Sequence, residues 1–104
     1  YCSHYSSQSS DERVQTFIKN YTEKFGEAPN TFAALGYDAA YMMTKAIENA
    51  GSTDSAAIVE AMKNLEYDGI TGHMVFDENR NPIKSAVILE INGGAESFVE
   101  NYEK

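Results

Sequence analysis

The run Asp77-Glu78-Asn79-Arg80-Asn81 places oxygen-bearing side chains at alternate positions, the spacing with which a calcium loop begins. Such a loop needs Gly at its sixth position and a bidentate Glu at its twelfth, where Pro82 and Ile88 stand. A β-turn between two strands accounts for the same residues, because Asp, Asn and Pro each favour turn backbone. His4 and His73 lie far apart, each without a His, Cys or Glu at ligand spacing, whereas zinc wants three or four clustered ligands. Cys2 and His4 are two residues apart and would share one face of a strand. A Cys–His nucleophile pair also needs an orienting third group, and none is in view. The segments Gly51-Ser52-Thr53-Asp54 and Asn92-Gly93-Gly94 lack the glycine spacing of phosphate cradles. Met42, Met43 and Met62 fall at helical spacing and read as core filler. The acidic residues read as solvated helix faces with ordinary surface pairs. No catalytic residue, metal ligand or cofactor is assigned, and the chain is not expected to be an enzyme.

The elements that would carry these residues follow from periodicity. Tyr1 to Tyr5 alternates as a short strand, and Ser6 to Ser10 is a connector. Ser10 is the expected N-cap of a helix over 11–25, whose face is Val14, Phe17, Ile18, Tyr21 and Phe25, and Gly26 ends it. Pro29 forces an extended entry, and Asn30 or Thr31 caps a second helix that runs to about Ala50 and stops at Gly51. Phe32, Leu35, Ala39, Met42, Met43, Ala46 and Ile47 form its broad apolar face, which suggests burial against a sheet. A third helix starts at Ser52-Thr53-Asp54 and ends near Asn64. Tyr67-Asp68-Gly69 reads as a turn and Ile70 to Phe76 as a short β segment. Ile83 to Ile91 reads as one strand buried on both faces. Ser97 to Tyr102 fits either a strand or a helical turn.

These elements imply an α/β fold with helices laid on a sheet. Three or four short strands would not cover that many apolar helix faces, so neighbouring strands are expected elsewhere. A length of 104 residues suits one small domain, and 42% apolar residues with seven Tyr and five Phe argue for a folded core. The net charge of −8 disfavours nucleic acid and anionic membrane as partners. No apolar run reaches the ~20 residues that span a bilayer. The lone Cys2 makes no internal disulfide. The start at Tyr1, without Met, suggests an excised piece.

Four motifs in order resemble one family. Phe25 to Ala40, F-G-E-A-P-N-T-F-A-A-L-G-Y-D-A-A, is similar to its Y/F-G-x-x-P-x-x-x-A-x-x-x-Y-D-A segment. Ala46 to Asp54 resembles A-I-x-x-A-G-S-x-D. Ile58 to Leu65 with Tyr67-Asp68-Gly69-Ile70-Thr71-Gly72 resembles I-x-x-A-L-x-x-x-x-F-x-G-V-T-G. Val75 to Asn79 resembles I-x-F-D-x-N-G, with Arg80 where Gly is common. The family is the type I periplasmic or extracellular solute-binding proteins of the branched-chain amino acid (Leu-Ile-Val-binding) class.

The resemblance implies that this chain is a C-terminal fragment forming part of one lobe in a two-lobed α/β protein. That protein would carry an amino acid or similar small solute to the permease of an ABC importer, in the periplasm or extracellular space. Any lipid anchor would lie upstream of Tyr1. Residues 1–9 would form an inter-lobe crossing, 10–83 the C-terminal part of the N-terminal lobe, and 84–104 the third crossing and the end of the second lobe. By the same resemblance Phe32, five residues before Tyr37, would cover the aliphatic side chain of the ligand, and Tyr5 would reach the cleft from the hinge. The isolated chain would dimerise or swap, because exposed apolar faces seek a partner. A free-standing α/β interaction domain is the alternative reading.

Overall fold

The computed structural model describes residues 1–102. Its elements are β1 (Cys2–Ser3), α1 (Glu12–Phe25), α2 (Thr31–Ala50), α3 (Ser55–Lys63), β2 (Tyr67–Gly69), β3 (Gly72–Phe76), β4 (Pro82–Lys84), β5 (Ala86–Asn92) and β6 (Ala95–Tyr102). The strands form two antiparallel three-stranded sheets, one ordered β1-β5-β6 and the other β2-β3-β4.

Each helix starts where a short polar side chain satisfies a free backbone amide. Asp11, one residue later than Ser10, caps α1 by accepting from the Arg13 amide at 2.8 Å. Asn30 accepts from the Ala33 amide at 3.0 Å, and Asp54 from the Ala57 amide at 3.1 Å. Gly26 and Gly51 end α1 and α2 in the left-handed region, at φ 78° and 60°.

One core cluster joins Tyr5, Val14, Phe17, Ala34 and Ile70; a second joins Met42, Leu65 and Met74. The buried stripe of α2 is Ala34, Asp38, Met42 and Ala46, spaced by four. This is narrower than the broad face expected, and it contains a carboxylate. Phe32, Tyr37, Tyr41 and Met43 face away from it, exposed.

The β region departs from expectation in two places and resolves a third. Tyr67–Gly69 is strand β2 and not a turn: Tyr67 pairs with Met74 and Asp68 with His73, and the chain reverses at Ile70-Thr71. The Ile83 to Ile91 stretch is two strands broken at Ser85, and within β5 only Leu89 is fully buried. Pro82 opens β4, the edge of its sheet, where a missing N–H costs no ladder bond. Residues 95–102 settle as β6, joined to β5 through Gly93 and Gly94 at φ 60° and 82°, the two-residue hairpin geometry. Six strands thus stand where three or four were expected.

The chain is flat and extended. Its dimensions are 49 × 33 × 19 Å, and its radius of gyration of 15.4 Å exceeds the ~13 Å typical of a compact domain this long. Its accessible surface of 7079 Å² exceeds the roughly 5,800 Å² of a globular protein of this mass.

Candidate functional site

The Asn30 cap turns the chain so that the first residues of α2 meet the end of β1. The Thr31 hydroxyl lies 3.2 Å from the Ser3 hydroxyl, which in turn accepts from the Tyr5 amide at 3.4 Å. Ser3 therefore links Tyr5 to Thr31, the residue before Phe32. Tyr5 and Phe32 differ in exposure. Phe32 is 81% exposed, so its ring stands free of the core at the start of the helix. Tyr5 is buried, edge-on to Phe17 at 6.4 Å between ring centroids. Its hydroxyl has no hydrogen-bond partner among the described residues, and burial raises its pKa.

Asp38 stands on the buried stripe of α2, whereas from sequence the acidic residues read as solvated helix faces. It is 1% exposed and accepts four hydrogen bonds. Two come from the backbone amides of Ile70, at 3.0 Å, and Thr71, at 2.8 Å. The others come from the hydroxyls of Thr71, at 2.5 Å, and Tyr67, at 3.4 Å. This satisfaction is what permits a carboxylate in the core. Gly69 is small because a Cβ there would collide with the Asp38 carboxylate and the Tyr67 ring. Burial first, then the charge of Asp38, pushes the Tyr67 phenol up to about 12. The legible signal was spacing: Asp38 is in register with Ala34, Met42 and Ala46, four residues apart. An acid in an apolar stripe needs donors, and the Gly-Ile-Thr-Gly turn supplies them.

Lys84 extends the network. Its ammonium donates to the Thr71 hydroxyl at 2.6 Å. Desolvation lowers its pKa, and the charge of Asp38 partly opposes that shift.

Elsewhere, the calcium-like run folds as a turn. Asp77 accepts from the amides of Asn79 and Asn81, at 2.9 and 2.7 Å. His73 has the carboxylate partners that its sequence spacing did not suggest: Asp68 lies 2.7 Å from Nδ1, across the β2–β3 ladder, and Glu66 lies 3.5 Å from Nε2. A groove of about 640 Å³ runs between α1, α2 and β2, walled by Phe17, Tyr21, Tyr37, Tyr41 and Tyr67.

The chain matches the periplasmic binding protein family over residues 1–96. A metabotropic glutamate receptor-like protein E from Dictyostelium discoideum is 31% identical over 70 residues, 62% of this chain and 9% of that protein. The leucine-binding protein of Thermotoga maritima is 35% identical, with a TM-score of 0.81 over 98% of this chain. A branched-chain amino acid transporter substrate-binding protein of Streptococcus pneumoniae, solved with isoleucine, is 30% identical, with a TM-score of 0.79 over 94% of this chain. A branched-chain amino acid ABC transporter periplasmic ligand-binding protein of Burkholderia xenovorans shares the fold at 20% identity, with a TM-score of 0.87 over 99% of this chain. The chain spans 30%, 29% and 30% of these three structures, so it corresponds to part of a lobe of their fold. With the family matched over nearly all its length and that fold reproduced by its helices and strands, this chain belongs to the periplasmic binding protein family.

Proposed function

We propose that this chain is the ligand-contacting C-terminal portion of an extracytoplasmic solute-binding protein that delivers an amino acid or similar small solute to an ABC importer. The observation that carries the reading is the exposed Phe32 ring at the start of α2, in a chain 35% identical to a leucine-binding protein. Phe32 supplies apolar contact to the ligand side chain, and burying such a ring contributes about 1.5–3 kcal/mol. The Ser3 and Thr31 hydroxyls are polar groups at the same end of α2, and the buried, unpartnered Tyr5 hydroxyl is the second candidate contact.

The domain boundaries follow from the same reading. Residues 1–9 and 84–104 act as adjacent crossings with the end of the second lobe, and 10–83 belong to the N-terminal lobe. Two observations support this: β1 pairs directly with β5, and the chain passes from one sheet to the other at Ser85. The lobes close on the solute by hinge motion. The protein carries out no catalysis, and its partners are the solute and a permease. Isothermal titration of the two-lobed protein against amino acids and small carboxylates tests this: one solute should bind one to one, and no heat with any of them contradicts the reading.

A further inference from the structure

Among the described residues the two sheets share no backbone ladder, yet three contacts converge where the chain leaves one for the other. Lys84, the last residue of β4, donates to the Thr71 hydroxyl at 2.6 Å, and that hydroxyl donates to Asp38 at 2.5 Å. Ser85, the break before β5, offers its carbonyl oxygen 3.0 Å from Nδ1 of His4, just beyond β1. Gly72, at φ 98°, lies so close that a Cβ on it would stand 2.5 Å from the Ser85 hydroxyl oxygen. A hydroxyl that both accepts from an ammonium and donates to a carboxylate is polarised in one direction, and each bond strengthens the other. Among the described residues no carboxylate lies within ion-pair distance of Lys84, so its hydrogen-bonded link to Asp38 runs through Thr71.

We infer that Thr71 and Lys84 are positioning residues: with Asp38 they fasten the end of β4 to α2, and so set how the chain enters the β1-β5-β6 sheet at Ser85 and how that sheet stands relative to β2-β3-β4, α2 and Phe32. A second contact set, His4 on Ser85, holds the same point from the β1 side. The effect on solute affinity rests on the solute-binding reading, because there the angle between the parts decides how Phe32 meets the ligand. The fastening itself does not rest on it.

The test needs no ligand, so its failure is distinguishable from failure of the binding function. Cys2 is exposed and is the chain's one cysteine. Spin labels on Cys2 and on a second cysteine introduced by Glu78→Cys, at the exposed β3–β4 turn, report the distance between the sheets by pulsed electron resonance, with the labelled chain diluted in excess unlabelled chain so that only distances within one chain are read. The otherwise unaltered chain and Thr71→Ser, which keeps the hydroxyl, should give one narrow distribution. Thr71→Val and Lys84→Met should broaden it about twofold or shift it, with helical circular dichroism retained. If Thr71→Val does not fold, Lys84→Met, which keeps the apolar stem, decides alone. Narrow, unshifted distributions for both variants, or a Thr71→Ser distribution as broad as that of Thr71→Val, overturn the inference.

Discussion

Asp38 is the one buried carboxylate among the described residues. Its four hydrogen bonds fasten the middle of α2 to the Ile70-Thr71 reversal, and a buried carboxylate with fewer donors would not be tolerated. Asp38→Asn presents an NH₂ group to amide donors and should destabilise by about 2–4 kcal/mol, read from the urea midpoint. Tyr67 gives a pH signature. Its pKa rises from 10.0 to about 12 on folding, so between those values the folded state holds a proton that the unfolded state has released. Stability must therefore fall across pH 10 to 12. Lys84 acts in the opposite sense, because its lowered pKa makes its contribution rise as pH climbs toward 10.5. Tyr67→Phe leaves Lys84 in place, so denaturation midpoints across this window should decline less steeply in that variant. An equal decline would contradict the assignment. At this scale Phe32 rests on its place in a motif and on the proposed function, whereas the buried role of Asp38 was hidden because one acid on a helix looks solvated until the opposing turn is known.

Among the elements, helices were read well and strands less so. Capping residues and glycine stops are local chemistry, and they placed α1, α2 and α3 within a residue or two. Strand limits depend on partners distant in sequence. Tyr67-Asp68-Gly69 has turn composition but pairs with β3, and the apolar run through Val87 and Leu89 conceals the break at Ser85. That break follows from Gly72, whose positive φ and lack of Cβ admit Ser85. Gly72→Ala should cost about 2–3 kcal/mol, adding collision to backbone strain. Gly94→Ala, at φ 82° in open space, meets strain alone and should cost about 1 kcal/mol. Thermal melts of the two variants compare them directly. Arg80 sits at φ 67° in the β3–β4 turn, at the position where the resembling motif has Gly. Arg80→Gly relieves about 1–2 kcal/mol of left-handed strain and returns part as chain entropy, so it should be neutral or slightly stabilising.

At the scale of the whole molecule, the unusual quantity is surface. The excess over a compact protein of this mass is accompanied by exposed Phe25, Phe32, Tyr41, Ile91 and Tyr102. The match to about 30% of larger structures accounts for it physically: faces that the rest of that fold covers in them stand open here. Light scattering across a concentration series should show the 104-residue chain associating beyond its 11.5 kDa mass, and a monomer at every concentration would count against this account. On the proposed solute-binding reading, the 104-residue chain by itself should show no useful affinity for the solute, because it spans only about 30% of the related structures; micromolar binding would contradict that. The imbalance of helix faces over strands was legible in the sequence, although the number of strands was not. The most direct measurement is calorimetry on the two-lobed protein with its tightest amino acid or related solute, comparing Phe32 with Phe32→Ala. We predict one-to-one binding weakened by about tenfold or more, the loss expected from a buried aromatic contact. Equal affinities for the two proteins would contradict the assignment of Phe32 to the ligand.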